Sequence, residues 1–136
     1  MFKEDYVLRL DNKEVIQKIK DYLYDRDDIA IAYLFGSFDT EDFNSSSDID
    51  IAILPMKEIS YSECLRMNSE LEDLIEFPID LNNIESLPEY IQIQILMRNK
   101  QLFCKDDLLE QKFIDKVNFW IKTEFSLWKK LMLNQL

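Results

Sequence analysis

Apolar positions along the chain fall into two rhythms, one of period near 3.6 and one of period 2, and the switches between them outline a fold. In "DNKEVIQKIKDYL" the residues Val15, Ile16, Ile19 and Leu23 share one face, and Asp11 and Glu14 have capping-box spacing. A helix is predicted there. "IAIAYLF", Ile29–Phe35, is a continuous β-prone apolar run and predicts a buried strand. "DIDIAIL", residues 48–54, alternates strictly, with Asp48, Asp50 and Ala52 on one side and Ile49, Ile51 and Ile53 on the other. Pro55 ends that strand.

Further along, Ser60 and Glu63 repeat the capping-box spacing, opening a helix through about Glu76 with Leu65, Leu71, Leu74 and Ile75 facing inward. "FPIDLNNI" predicts a short third strand around residues 79–81. Ser86 and Glu89 are expected to cap a helix over "LPEYIQIQILMRN", and "QLFC" to form a short edge strand. From Asp107 onward, helical spacing runs through Phe113, Val117, Trp120, Ile121, Phe125, Trp128 and Leu131. This order predicts an α/β or α+β fold, a small mixed sheet with helices packed on it. The 136 residues suit one domain with a single core, and "NSSS", residues 44–47, is a short polar loop.

Composition narrows the chemistry. Histidine is absent, which removes imidazole bases, His–Cys nucleophile pairs and the usual zinc sites. Cys64 and Cys104 lie in apolar contexts and are expected to be reduced core residues of a cytoplasmic protein. No apolar run approaches a membrane span, and no signal peptide is read at the start. The net charge is −11, unevenly spread. Residues 1–110 carry 11 basic and 25 acidic side chains, whereas residues 111–136 carry 5 basic and 2 acidic. So acidic a body argues against a module that grips nucleic acid directly. It suits a protein that collects divalent cations or meets a basic partner, or simply an acidic solubilising surface.

Candidate chemistry concentrates in "YLFGSFDTEDFNSSSDIDIAIL", residues 33–54, which holds the chain's one glycine, Gly36. Asp48 and Asp50, two apart on a strand, project from one face. Carboxylates about 4 Å apart repel by roughly 4 kcal/mol at an effective dielectric of about 20. A hard cation such as Mg²⁺ or Mn²⁺ between them relieves that cost. Solvated surface is the plainer alternative for such a pair. Gly36, after a buried strand, permits positive φ and close approach of backbone to a ligand. The Ser37 hydroxyl and neighbouring amides could then hold phosphate, although a plain turn serves equally well.

Joined, the two halves fit G-S-x(10)-D-x-D, with Gly36, Ser37, Asp48 and Asp50 at the fixed positions. At about 5–7% per residue, chance gives on the order of one match in a thousand chains of this length. The pattern resembles the nucleotidyltransferases of the DNA polymerase beta superfamily, in particular the minimal nucleotidyltransferases, or MNT proteins, found beside HEPN proteins. The likeness covers roughly residues 14–105, leaving a C-terminal helical segment at about 107–134 as an addition. The family's third carboxylate lies on a later strand, and Asp80, flanked by Ile79 and Leu81, matches it. The resemblance implies a polymerase-beta-like fold, two Mg²⁺ ions on Asp48, Asp50 and Asp80, and a nucleoside triphosphate held at Gly36 and Ser37. In the MNT–HEPN pairs the nucleotidyltransferase is an antitoxin. It moves AMP from ATP to a tyrosine of the HEPN toxin, an RNase. That reading is adopted here. The alternatives are an antitoxin that neutralises by binding alone and an enzyme acting on a small-molecule hydroxyl.

Two departures from the family pattern stand out. Where many members place a small residue, an arginine and a glycine after the GS, this chain has Asp39, Thr40 and Glu41. The family's common glycine before the last strand is replaced within Arg98-Asn99-Lys100, whose two cations either touch phosphate or are solvated at the surface. Beyond the core, Phe125, Trp128, Leu131 and Met132 extend further than a domain this small is expected to cover. That end is expected to dock the toxin or a second copy of the chain.

Overall fold

The structure is a computed structural model that describes residues 12–38, 40–44, 46–125 and 129–130. Helix α1, Asn12–Tyr24, leads into strand β1, Ile29–Phe35, and then β2, Ile49–Pro55. Helix α2, Tyr61–Ile75, crosses over to β3, Ile79–Asn83. A 3₁₀ turn at Ile84–Ser86 precedes α3, Glu89–Arg98, and β4, Gln101–Cys104. Helix α4, Asp107–Trp120, runs on into a π-helical turn at Ile121–Phe125. The strands lie in the order β3-β2-β1-β4. Strand β1 is antiparallel to β2 and β4, while β2 and β3 are parallel. The expected mixed sheet with packed helices is what forms.

Both faces of the sheet are covered, which is why β1 reads as unbroken apolar sequence. One core joins Val15, Ile19 and Leu23 of α1 and Met67 and Leu71 of α2 to Ile49, Ile51 and Ile53 of β2. The other joins Ala52 and Leu54 of β2 to Ile95 of α3 and Phe113 and Val117 of α4. A register shift between Ile29 and Ile31 lets consecutive residues Ala30 and Ile31 serve the same core, after which alternation resumes.

Three expectations meet a different outcome. Helix α2 does begin on Ser60, whose hydroxyl accepts from the Glu63 amide at 3.1 Å. Its buried stripe, however, is Cys64, Met67, Leu71 and Ile75, so Leu65 and Leu74 are 50% and 44% exposed rather than inward. Spacings of three, four and four keep the first set on one line, and the two leucines fall beside it. Ser86 does not cap α3. It ends the 3₁₀ turn, and Pro88 occupies the cap position without a side-chain bond. Proline holds the preceding Leu87 extended, at φ −82° and ψ 154°, so no helix can be continuous with Ser86. The terminal helical stripe buries Phe113 and Val117 but leaves Trp120 and Ile121 only partly covered, and the helical period widens at Ile121. Asp11, the Phe125 side chain, Trp128, Leu131 and Met132 lie outside the described residues, and so does the docking expected of that end.

Among the described residues, no helix is long and apolar enough to cross a membrane.

The orientation of α2 is open to a direct check. Leu71 is fully buried, so Leu71→Ala should cost about 2–5 kcal/mol in urea unfolding. Leu65→Ala and Leu74→Ala should each cost less than about 1 kcal/mol. Equal losses at all three would mean that α2 is turned to another face.

Candidate active site

The end of β1 sets the first component. Gly36 follows Phe35 directly and takes φ +72°, the left-handed region where a side chain is strained. Space reinforces conformation: a Cβ added there would overlap Asp50 Oδ2 and stand 3.0 Å from Asp50 Cγ. The glycine is required because the Asp50 carboxylate lies over its α-carbon. The close approach is one of backbone to a protein carboxylate.

Strand pairing sets the second component. Asp50 lies opposite Phe35 of β1 and opposite Asp80 of β3, so one residue of the inner strand is flanked by the glycine turn and by a second carboxylate. Asp80 is held in that register by α2. The Glu72 carboxylate accepts from the Ile79 amide at 3.0 Å, and Asn68 Oδ1 accepts from the Leu81 amide at 2.8 Å. With Ile79 and Leu81 buried on either side, Asp80 is left exposed on the opposite course of the pleat. Asp48 comes just before β2, two residues from Asp50 and exposed.

Burial raises the Asp50 pKa to about 6, helped by the charges of Asp80 and Asp48 and by a hydrogen bond shared with Asp80. Asp50 and Asp80 are cross-strand neighbours, with Asp48 close enough to add to the field. The three do not close into a set whose oxygens all lie within 4.8 Å of one another. Their donors are carboxylate oxygens alone, a hard set that fits Mg²⁺ or Mn²⁺, and a divalent cation would offset the crowding that raises Asp50. So the residues present fit the metal.

The turn after Gly36 is anchored by a residue that the sequence reading overlooked. Phe38 is buried in the α1/α2 core and meets Phe43 edge-on at 5.2 Å, and Phe43 packs on Phe77. The Ser37 carbonyl accepts from the Thr40 amide at 3.0 Å, closing a turn. Asn44 Oδ1 accepts from the Ser46 amide at 2.9 Å. Asp39 lies outside the described residues, while Thr40 and Glu41 are exposed. Arg98, left open in the sequence between phosphate and solvent, has its Nη1 donating to the Gly36 carbonyl at 2.8 Å. Its partner is 62 positions away, so no local pattern could have paired them.

Another cluster lies on β4 and α4. Cys104, Asp107 and Glu110 bring their ligand atoms within 4.8 Å of one another. Burial pushes the Cys104 thiol up, keeping it protonated, and the thiol donates to Asp107 Oδ1 at 3.5 Å. Glu110 already accepts from Gln101 and from the Tyr33 hydroxyl. These groups satisfy one another. Cys64 is buried as expected, whereas Cys104 is only partly so.

The pKa of Asp50 generates a signed expectation. Its folded value of about 6 exceeds the ordinary 3.8, so between these values the folded chain holds a proton that the unfolded chain has lost. The stabilisation is complete below the lower value and is lost as pH rises through the upper one. In metal-free buffer, Asp50→Asn should therefore gain in Tm relative to the unsubstituted chain as pH is raised from about 4 to about 7. Added Mg²⁺ should narrow that gap at neutral pH. A constant difference across the range would show that Asp50 is not crowded.

The model of the polymerase beta nucleotidyltransferase family matches residues 17–108. Two putative protein adenylyltransferases of Methanocaldococcus jannaschii are each 32% identical over 69 residues, covering 51% of this chain and 70% of the relative. Among solved structures, a complex of tri-AMPylated Shewanella oneidensis HEPN toxin with MNT antitoxin contains a chain of like fold. Its TM-score is 0.66 at 23% identity, over 89% of this chain and 98% of that one. A toxin–antitoxin structure with AMP-PNP gives a TM-score of 0.66 at 22% identity, over 90% and 99% of the two chains. The MntA–HepT complex gives 0.64 at 22% identity, over 88% and 98%. Matched by that family model over more than half of its length, this chain belongs to the polymerase beta nucleotidyltransferase family.

Proposed function

We propose that this chain is a Mg²⁺-dependent protein adenylyltransferase that acts as an antitoxin, moving AMP from ATP to a tyrosine hydroxyl of a HEPN-type RNase. The observation that carries the reading is the pairing of Asp50 with Asp80 beside the Gly36 turn. It puts carboxylates suited to a metal next to a backbone turn suited to phosphate. The acceptor is inferred from the relatives: two are putative protein adenylyltransferases, and a chain of like fold accompanies an AMPylated HEPN toxin. The acidic body favours a protein acceptor over a nucleic acid, and the setting is taken to be cytoplasmic.

In this mechanism the Ser37 hydroxyl and the amides after Gly36 hold the β- and γ-phosphates. Asp48, Asp50 and Asp80 would hold two Mg²⁺ ions, which supply charge neutralisation for the triphosphate and acidify the acceptor hydroxyl. Asp80, exposed on the edge strand, faces the acceptor and takes the hydroxyl proton. The tyrosine oxygen bonds to the α-phosphorus, the bond from that phosphorus to the bridging oxygen breaks, and pyrophosphate leaves. Catalysis is positioning and electrostatics.

Two sets of variants test the reading. Asp48→Asn, or Asp80→Asn, should cut transfer of labelled AMP by at least about 100-fold while the chain stays folded. Asp80→Asn should also leave ATP affinity largely intact, and an equal loss of binding would assign it a structural role. Ser37→Ala should be milder, about 10- to 150-fold, the worth of one hydrogen bond to a charged group.

Neutralisation of the cognate RNase distinguishes catalysis from contact. The unsubstituted chain should add AMP masses to the partner and stop its activity at substoichiometric amounts. Asp48→Asn should bind without modifying. If that variant neutralises at the same ratio, contact alone is the function.

A further inference from the structure

The turn proposed to hold the triphosphate has no cation of its own. Residues 36–50 contain five carboxylates and not one lysine or arginine. A nucleoside triphosphate would add several more negative charges to that surface. Metal ions neutralise charge where the carboxylates converge, but the far end of the phosphate chain, beside Ser37, needs a donor from elsewhere.

The fold delivers one. Helix α3 ends at Asn99, which takes the left-handed conformation at φ 52° with its amide donating to the Ile95 carbonyl. The next residue is tied to β1, for the Leu34 amide donates to the Lys100 carbonyl at 2.9 Å. Gln101 then pairs with Tyr33. The corner between α3 and β4 is thus fastened to the last residues of β1, and Arg98 stands one residue before it. From there its Nη1 reaches the Gly36 carbonyl at 2.8 Å.

A guanidinium has five N–H donors in a rigid plane, and this carbonyl engages one of them. The Arg98 side chain is exposed, so the plane is open to a ligand at the turn. An arginine at a helix C-terminus is favoured by the helix dipole wherever it points. That preference does not account for its bond to the one carbonyl that adjoins Ser37.

We propose that Arg98 binds the β,γ-phosphate end of the nucleoside triphosphate at the Gly36–Ser37 turn, a role that rests on the nucleotidyltransferase reading above. Its planar fork suits two phosphate oxygens at once. The bond to Gly36 fixes the fork before the ligand arrives.

Calorimetric titration of the full chain with Mg²⁺ present, using ATP, inorganic tripolyphosphate and AMP as probes, tests this. Arg98→Ala should weaken ATP and tripolyphosphate by about 10- to 150-fold and leave AMP affinity unchanged. Arg98→Lys should restore part of the loss, keeping charge without the fork. Equal weakening of all three probes would reduce Arg98 to a prop for the turn and overturn the proposal, as would unchanged affinity for ATP. If the unsubstituted chain binds neither ATP nor tripolyphosphate, the nucleotidyltransferase reading itself falls and takes this role with it. If it binds both and Arg98→Ala binds them equally well, only the assignment of Arg98 is lost.

Discussion

Asp50 occupies a position that every nearby element has to accommodate. It lies on an inner strand whose isoleucines face one core and whose Ala52 and Leu54 face the other, so its carboxylate cannot be turned into either interior without cost. The pleat sends it instead to the open end of the sheet, over the Gly36 α-carbon and against Asp80. A side chain is thereby excluded at position 36. The third strand has to arrive in one register, and the site opens where β1 ends. Burial and neighbouring charge raise the pKa of this one group. The fold tolerates a local electrostatic cost at the place where a cation would be most strongly held.

The strands were legible because their signals are local. An unbroken apolar run, a strict alternation and a single aspartate between Ile79 and Leu81 each specify a strand and its facing within a few residues. The motif's spacing brought Gly36 and Asp50 into one pattern, but it suggested a backbone approach to a ligand, whereas the approach is to Asp50 itself. Helix facing was harder to read. Leu65 and Leu74 are as apolar as Leu71, and only the tertiary fit of α2 on β2 and β3 selects the stripe through Met67. At α3 the capping-box spacing competed with Pro88, and the restriction that proline places on Leu87 prevailed.

What could not be read at all depends on contacts between distant segments. Phe38 looks like one more apolar residue after a motif, yet its burial against Phe43 fixes the course of the turn. Arg98 sits in a stretch suited equally to solvent or to ligand, and the tie between Leu34 and Lys100 decides where it stands. Asn99 explains the missing glycine before β4. Asparagine is the side-chain-bearing residue that most readily adopts the left-handed conformation, so the corner keeps its geometry without a second glycine.

The two bonds by which α2 holds β3 also determine how another polypeptide can approach. Strand β3 is an edge of the sheet, and an edge ordinarily invites a further strand to pair with its free amides. Here the amides of Ile79 and Leu81 are taken by Glu72 and Asn68. A strand arriving beside Asp80 finds those two amides already engaged, which opposes its addition to the sheet there. For a protein acceptor of the kind proposed, that arrangement favours docking between folded bodies over reading of the local sequence around the acceptor.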